Sequence, residues 1–314
     1  MAIAQTRTAR QRGGLLSALG IRGLAAREAG VGLGIVGFVY LFLFCFVYAP
    51  MLLAFYVSLT RWDALSPLAE ARWVGLGNYA DLITDSRFRL SILKDFEWSG
   101  KAYIGQIGLG LGLAIIVTNI RRFQALARFI SFAPFILPIV ATAILFTILM
   151  DPTWGLFNQT LRLLGLPPSK WLADPETAMN SALLMIIWKY AGYYMVLFMT
   201  ALLAVPQEYY DAAHIDGASP IQTFWRITWP LIRPAFLFIS VINVIGNLQV
   251  FDTIFVMTGG GPNRATEVVV LLMYNTAFTN FRYSVANAMA VILFFIILLL
   301  TVFQMRVLKS DDHG

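Results

Sequence analysis

Long apolar runs separated by short polar segments set the frame of this chain. The first extends from Val31 to about Thr60 without a charge, and further uncharged or nearly uncharged runs follow at about 102–120, 129–150, 181–204, 235–258 and 284–305. Each is close to the roughly 20 residues a helix needs to cross the hydrocarbon core of a bilayer. The pattern predicts an all-α polytopic membrane protein with six transmembrane helices. Pro134 and Pro138 fall inside the third run and predict a kink there.

One polar interruption, Pro206 to Pro234, carries the punctuation of built structure rather than of a connector. Pro206 suits a helix start, Gly217 a left-handed stop, Ser219 a second cap, and Pro220 the first turn after it. Pro230 is expected to stop that second helix. The spacing predicts two short helices, roughly 207–216 and 220–229, meeting at a tight corner. On the first, Ala212 and Ala213 leave a flat place where another backbone can approach, with Glu208, Asp211 and Asp216 around it. On the second, Ile221, Phe224, Trp225 and Thr228 recur at helical spacing and give an amphipathic face with aromatic anchors. Such a corner fits a partner's cleft, or else lies on lipid headgroups.

Charge sets the expected orientation, because positively charged short loops stay on the cytoplasmic side. Five arginines (Arg7, Arg10, Arg12, Arg22, Arg27) precede the first run, and Arg121, Arg122 and Arg128 sit in the short 121–128 connection. The loop from Arg61 to Lys101 instead balances six basic residues against six acidic ones. Both termini and the 205–234 segment are therefore expected to face the cytoplasm. The apolar run after the basic start is longer than a signal peptide's core, so it is expected to remain as an anchor. Leu15 to Ala26 is apolar enough for a short surface helix.

Composition agrees with a membrane protein: 59% of the 314 residues are apolar and 13% charged, where a soluble domain carries about a quarter. The formal charge of +6 belongs to orientation rather than to nucleic acid. Cys45, the single cysteine, lies in an apolar run and is expected to be a buried small residue without disulfide or metal chemistry. Gly100-Lys101 lacks the flanking glycine and hydroxyl residue of a phosphate-binding loop, so ATP is not expected to bind here. Gly259, Gly260, Gly261 and Pro262 read as a sharp turn. His214 and His313 cannot supply a zinc site between them.

Polar residues inside spans mark either a wet path or helix–helix bonding. Asn243 and Asn247 share a face of the fifth run, with Gln249 and Asp252 nearer its end. Lys189 and Tyr193, and Tyr190 and Tyr194, are four apart in the fourth. Amides with aromatic rings suit a sugar, which needs hydrogen bonds at its rim and stacking on its ring face. Lys189 and Asp252 fall at similar depth and are expected to neutralise each other as an ion pair. Trp62 and Trp73 read as interface anchors.

Asp211-Ala212-Ala213, three residues, Gly217, nine residues, then Ile227-Thr228-Trp229-Pro230 resembles the EAA motif of permease subunits in binding-protein-dependent ABC importers. VPQEYYDAAHIDGAS and ITWPLIRP resemble its carbohydrate-type branch, the maltose and glycerol-phosphate permeases. VGLGNY at 74–79, APFILPIVATAILFTILM at 133–150 and QVFDTIFVMTGGGP at 249–262 agree with it. Two departures are Asp211 in place of the usual Glu and Trp229 in place of Leu. The first leaves open whether Asp211 or Glu208 makes the main polar contact with an ATPase.

The resemblance implies the type I ABC importer permease fold over residues 31–308, after a cytoplasmic N-terminal segment (1–30) and before a tail (309–314). It implies a second permease subunit, usually non-identical, two ATPase subunits that hold ATP and Mg, and an extracytoplasmic solute-binding protein. It also implies a coupling role for Glu208, Tyr209, Asp211, Ala212, Ala213, Asp216, Gly217, Phe224 and Trp225, with no catalytic residue and no cofactor in this chain. An importer for amino acids or peptides, an ion-coupled carrier using Lys189 and Asp252, and a non-transporting scaffold are the competing readings.

Overall fold

A computed structural model describes residues 21–63, 66–120 and 122–308, in two units, Met1–Tyr56 and Val57–Gly314. Arg7, Arg10, Arg12, Arg121, the start of the expected 15–26 helix and the tail after 308 lie outside the described residues. In the first unit α1 (Ile21–Leu43) runs through a π turn at Phe44–Tyr48 into α2 (Ala49–Ser58). The stretch Val31–Ser58 contains an 18-residue window with a mean hydropathy of 2.4, and its side chains are mostly exposed on the chain itself. Cys45 is one of them, which corrects the expectation of a buried cysteine. At 28 residues this stretch is long and apolar enough to cross a bilayer.

The second unit opens with a two-residue antiparallel pair, β1 (Thr60–Arg61) on β2 (Arg72–Trp73), followed by α3 (Gly77–Thr84). α4 (Ser86–Asn119) then starts sixteen residues before the predicted span. Asp85 caps it, accepting from Arg87 N at 2.7 Å and Phe88 N at 3.3 Å. Phe88, Ser91, Asp95, Trp98 and Ala102 are buried along one face at helical spacing. Counting charges in 61–101 hid that periodicity, because every charge on the helix there except Asp95 lies off the buried face. At 34 residues α4 is about 50 Å long, so it overshoots a 30 Å hydrocarbon core.

The predicted kink in the third run is a break. α5 (Gln124–Ile136) and α6 (Ile139–Leu149) meet at 95°. Pro138 has no N–H to give to the carbonyl of Pro134, four residues back, so that oxygen needs another donor. Lys189 supplies it. Its ammonium donates to Pro134 O at 3.0 Å, to Phe135 O at 3.4 Å and to Leu137 O. Lys189 is 2% exposed, whereas Asp252 is exposed and no ion pair between them occurs among the described residues. The expected Lys189–Asp252 pair is therefore replaced by a cation on the negative end of a helix.

α8 (Ala178–Leu203) is the central element, after the short α7 (Leu156–Leu163). Ala182, Met185, Met195 and Phe198 on it are fully buried. Glycines let neighbouring backbones come close, as in other membrane bundles. A Cβ at Gly110 of α4 would lie 2.6 Å from the Cβ of Tyr194, and one at Gly192 would lie 1.8 Å from Ser131 O of α5.

Beyond α8 come α9 (Gln207–Ile215), α10 (Pro220–Thr223), a π turn at Phe224–Thr228 and α11 (Trp229–Leu248). α10 to α11 form one 29-residue helix, Pro220–Leu248, which Pro230 does not stop. Trp229 N donates to Phe224 O across the wider turn, and that widening accommodates the proline ring one residue later. Pro50 follows the Phe44–Tyr48 π turn at the same offset. The fifth span ends at Leu248, ten residues before the predicted 258, and α12 (Asp252–Met257) is separate. α13 (Val269–Tyr274) and α14 (Tyr283–Leu308) complete the chain. Five of the described helices are long and apolar enough to cross a membrane, six if α5 and α6 form one span.

Two substitutions test this packing. Gly192→Ala is expected to lower the melting temperature of the purified protein sharply, because Ser131 O is backbone and cannot swing aside. Gly112→Ala, with nothing within 4 Å, is expected to be neutral. Lys189→Met is expected to cost about 1–3 kcal/mol for each carbonyl left without a donor. Equal melting of wild type and Lys189→Met would contradict the helix-end role.

Candidate functional site

The corner between α9 and α10 is held by its own backbone chemistry. Gly217 adopts φ +69°. Gly217 N donates to His214 O at 3.2 Å and Ala218 N to Ala213 O at 2.9 Å, the paired bonds of a Schellman stop. Ser219 then starts the next helix with a capping box: Gln222 N donates to its hydroxyl at 3.3 Å, and Gln222 Oε1 accepts from Ser219 N at 2.8 Å. Tyr210 and Thr228 join across the corner through their hydroxyls at 3.2 Å. Both helices are therefore fixed to each other without any partner.

What this rigid corner presents is apolar. Ile215 is 87% exposed, Ile221 72%, Trp225 60% and Tyr209 50%. Glu208, Asp211, Ala212 and Asp216 are exposed beside them, with Asp211 accepting from Gln207 Nε2 at 3.1 Å. Ala213 is buried within the chain, so of the two alanines only Ala212 offers the flat surface the sequence predicts. Phe224 is half-buried and belongs to a ring cluster, 5.2 Å from Trp225 and 6.4 Å from Trp229, that continues to Phe236. Ile215 was not among the predicted contacts. Its signal was a large apolar residue in the last turn before a glycine stop.

At the far end of the same long helix lies a buried amide cluster. Gln106 Oε1 of α4 accepts from Asn243 Nδ2 at 2.7 Å and from Asn247 Nδ2 at 3.0 Å. Asn247 Nδ2 also reaches Asn243 O and Oδ1 at 2.9 and 3.0 Å. Asn243 is fully buried and Asn247 nearly so. Gln106 was missed, although it is one of only two amides in the 102–120 run, the other being Asn119 near its end. Next to the cluster is a cavity of about 170 Å³ lined by Gln106, Tyr190, Tyr194, Asn247, Gln249 and Asp252 among others. Tyr193 stacks instead on Phe135 of α5, with centroids 4.6 Å apart. The fold thus brings Asn247, Gln249 and Asp252 to one cavity, closes Asn243 off, and sends Lys189 and Tyr193 to the broken helix.

The glycine turn is as sharp as predicted. Gly259 and Gly260 have φ of +57° and +89°, and Asn263 and Arg264 after the Gly261–Pro262 cis bond are also left-handed. Arg87 of α4 grips Glu267 just beyond it with two bonds of 2.8 and 2.6 Å. Sequence separation alone concealed that pair.

Comparison with known proteins bears on both sites. Residues 106–310 match the family described as binding-protein-dependent transport system inner membrane component. The probable ABC transporter permease protein YurN of Bacillus subtilis is 32% identical over 85% of this chain and 92% of its own length. The trehalose/maltose transport system permease protein MalF of Thermococcus litoralis is 31% identical over 90% and 95%. The sn-glycerol-3-phosphate transport system permease protein UgpA of Agrobacterium fabrum is 30% identical over 85% and 91%. In fold, the chain matches a subunit of a bacterial ABC transporter that imports alginate, with a TM-score of 0.79 and 21% identity over 91% and 98% of the two chains. This chain belongs to the family of multi-pass inner-membrane permease components of binding-protein-dependent ABC transport systems.

Proposed function

We propose that this chain forms half of the membrane path of an ATP-driven importer for a sugar or related polyol, delivered by an extracytoplasmic binding protein. The solute class rests on relatives whose names specify trehalose/maltose, multiple sugars and glycerol phosphate. ATP and Mg are held by two separate ATPase subunits, and a second, non-identical permease completes the path. Both termini and the 206–234 corner face the cytoplasm, as the arginine distribution requires. No cofactor belongs to this chain.

The observation that carries the reading is the pre-formed corner with exposed Ile215, Ile221, Trp225 and Tyr209, continuous with the helix that bears Asn243 and Asn247. A rigid apolar tip on an otherwise polar loop is a docking surface. Seated in an ATPase cleft, it passes the movement of the ATPases to the fifth span. Gln249 and Asn247 meet the solute at the cavity, with Tyr190 and Tyr194 as ring platforms. An ion-coupled carrier loses its motive here, since Lys189 is bonded to backbone carbonyls and Asp252 lies apart from it.

Reconstitution with its partners and the binding protein tests this directly: uptake should require ATP and should survive an uncoupler. Ile215→Asp is expected to abolish ATPase co-purification while melting stays within about 0.5 kcal/mol, as for a surface residue. Gly217→Pro, which removes a Schellman donor at a positive φ, is expected to lose both attachment and coupling. Normal ATP-dependent uptake by either variant contradicts the docking role. In the cavity, Gln249→Ala is expected to raise the KM of uptake without changing stability. Gln106→Leu, which strands two buried amides, is expected to cost about 1–3 kcal/mol in melting.

A further inference from the structure

A second cavity lies where span one ends and span six begins, and it shares no lining residue with the cavity beside the amide cluster. It measures about 370 Å³ and is lined by Arg61, Trp62, Asp63, Ser66, Asn78, Asp81, Phe281, Arg282, Ser284 and Val285. Its frame is rigid. Asn78, 2% exposed, donates to Ser58 O and Thr60 O at 2.8 Å each, and Ser284 Oγ accepts from Trp62 N at 2.9 Å. The Trp62 indole donates to Ser66 O at 2.9 Å, and its ring lies 6.3 Å from that of Tyr283. Chain alternation puts this cavity at the end of the bundle opposite the 207–229 corner.

Its lining mixes two guanidinium groups with two carboxylates. Arg61 and Asp81 stand 3.8 Å apart with side chains 67% and 62% exposed, a loose pair open to competition. Asp63 Oδ1 accepts from Ser66 N and Oγ at 3.1 and 3.0 Å, and Arg282 belongs to none of the ion pairs among the described residues. Phe281 on its lining is 53% exposed, and Trp73, Leu76 and Ile83, close in sequence to the lining residues Asn78 and Asp81, are 60%, 71% and 67% exposed. A charged cavity with an apolar apron, at the ends of two spans and beside tryptophan, is placed at the water–lipid boundary.

We propose that this cavity holds the headgroup of a zwitterionic phospholipid of the phosphatidylethanolamine class. The phosphate lies towards Arg61 and Arg282, and the primary ammonium towards Asp63 and Asp81. The acyl chains then run over Leu76, Ile83 and Phe281. An anionic headgroup would find the arginines but be repelled by the carboxylates. A trimethylated headgroup would bring the positive charge without N–H donors for them. The mixed signs therefore select a headgroup carrying both a phosphate and a primary amine. This site is independent of the transport reading, since it needs only that the chain spans a bilayer.

The test is lipid retention by the purified full chain, with its partner subunits where they co-purify, after equilibration with vesicles of equimolar phosphatidylethanolamine, phosphatidylglycerol and phosphatidylcholine. Native mass spectrometry counts what stays bound. Phosphatidylethanolamine should be retained over each of the others by about fivefold, the factor one charge contact near a bilayer surface provides. Asp81→Asn, nearly isosteric and on an exposed side chain, should bring that ratio close to one with unchanged melting, whereas Arg282→Gln, which loses a contact to the phosphate that all three lipids share, should lower the retention of all three. Equal retention of all three lipids by the unmutated protein overturns the proposal without recourse to a variant. So does an unchanged ratio in Asp81→Asn, or undiminished retention of all three lipids in Arg282→Gln. Loss of binding-protein association in the variants, with lipid retention intact, overturns it too and makes the cavity a protein-docking site.

Discussion

The unbroken backbone from Pro220 to Leu248 is the constraint on which the rest of this structure depends. A proline at position 230 ought to end a helix, since it removes a donor and presses its ring on the carbonyl four residues back. The π turn at Phe224–Thr228 widens the backbone just ahead of it, and the helix continues. At 1.5 Å per residue the rod is about 43 Å long, with the aromatic cluster of the corner at one end and Asn247 near the other. A displacement of the corner therefore displaces the amide cluster. Two independent short helices, as the prolines alone suggested, would have absorbed the motion between them.

The interior meets the cost of polar groups in lipid by leaving few of them alone. Gln106, Asn243 and Asn247 satisfy one another, at a strength of roughly 0.6 kcal/mol per interhelical bond, which orders the helices more than it stabilises them. Lys189 is the more consequential case. The break at Pro138 exposes the carbonyl end of α5, and the Lys189 ammonium has three donors to offer it. With the break comes a close backbone approach at Gly192, beside the Phe135–Tyr193 stack that also joins α5 to α8. The third span is thus bent and fixed at once.

The spans, the corner and its glycine and serine caps were legible because each depends on local chemistry: apolar run length, a left-handed glycine, a Ser219–Gln222 box. The family was legible for the same reason, since the Asp211 to Pro230 spacing is local. What escaped was either masked by charge or set by tertiary contact. The early start of α4 hid behind Arg87, Lys94 and Glu97, which share the helix with a buried face. Lys189 was paired on depth with Asp252, but depth does not say which way a side chain turns, and the nearer demand came from α5. Ala213 and Ala212 are adjacent in sequence and face opposite ways. Gln106 reached Asn243 across 137 residues, a distance no spacing argument covers.

The claim that most of this rests on is that the corner is held by an ATPase subunit, and site-directed cross-linking addresses it without disturbing the fold. With Cys45→Ala removing the native thiol, Ile215→Cys places a single one at the tip of the corner. A short bifunctional reagent added to the assembled complex should yield an adduct between this chain and the ATPase subunit, both with and without ATP. An adduct confined to lipid or to the second permease, with the ATPase subunit unlabelled, would contradict the account.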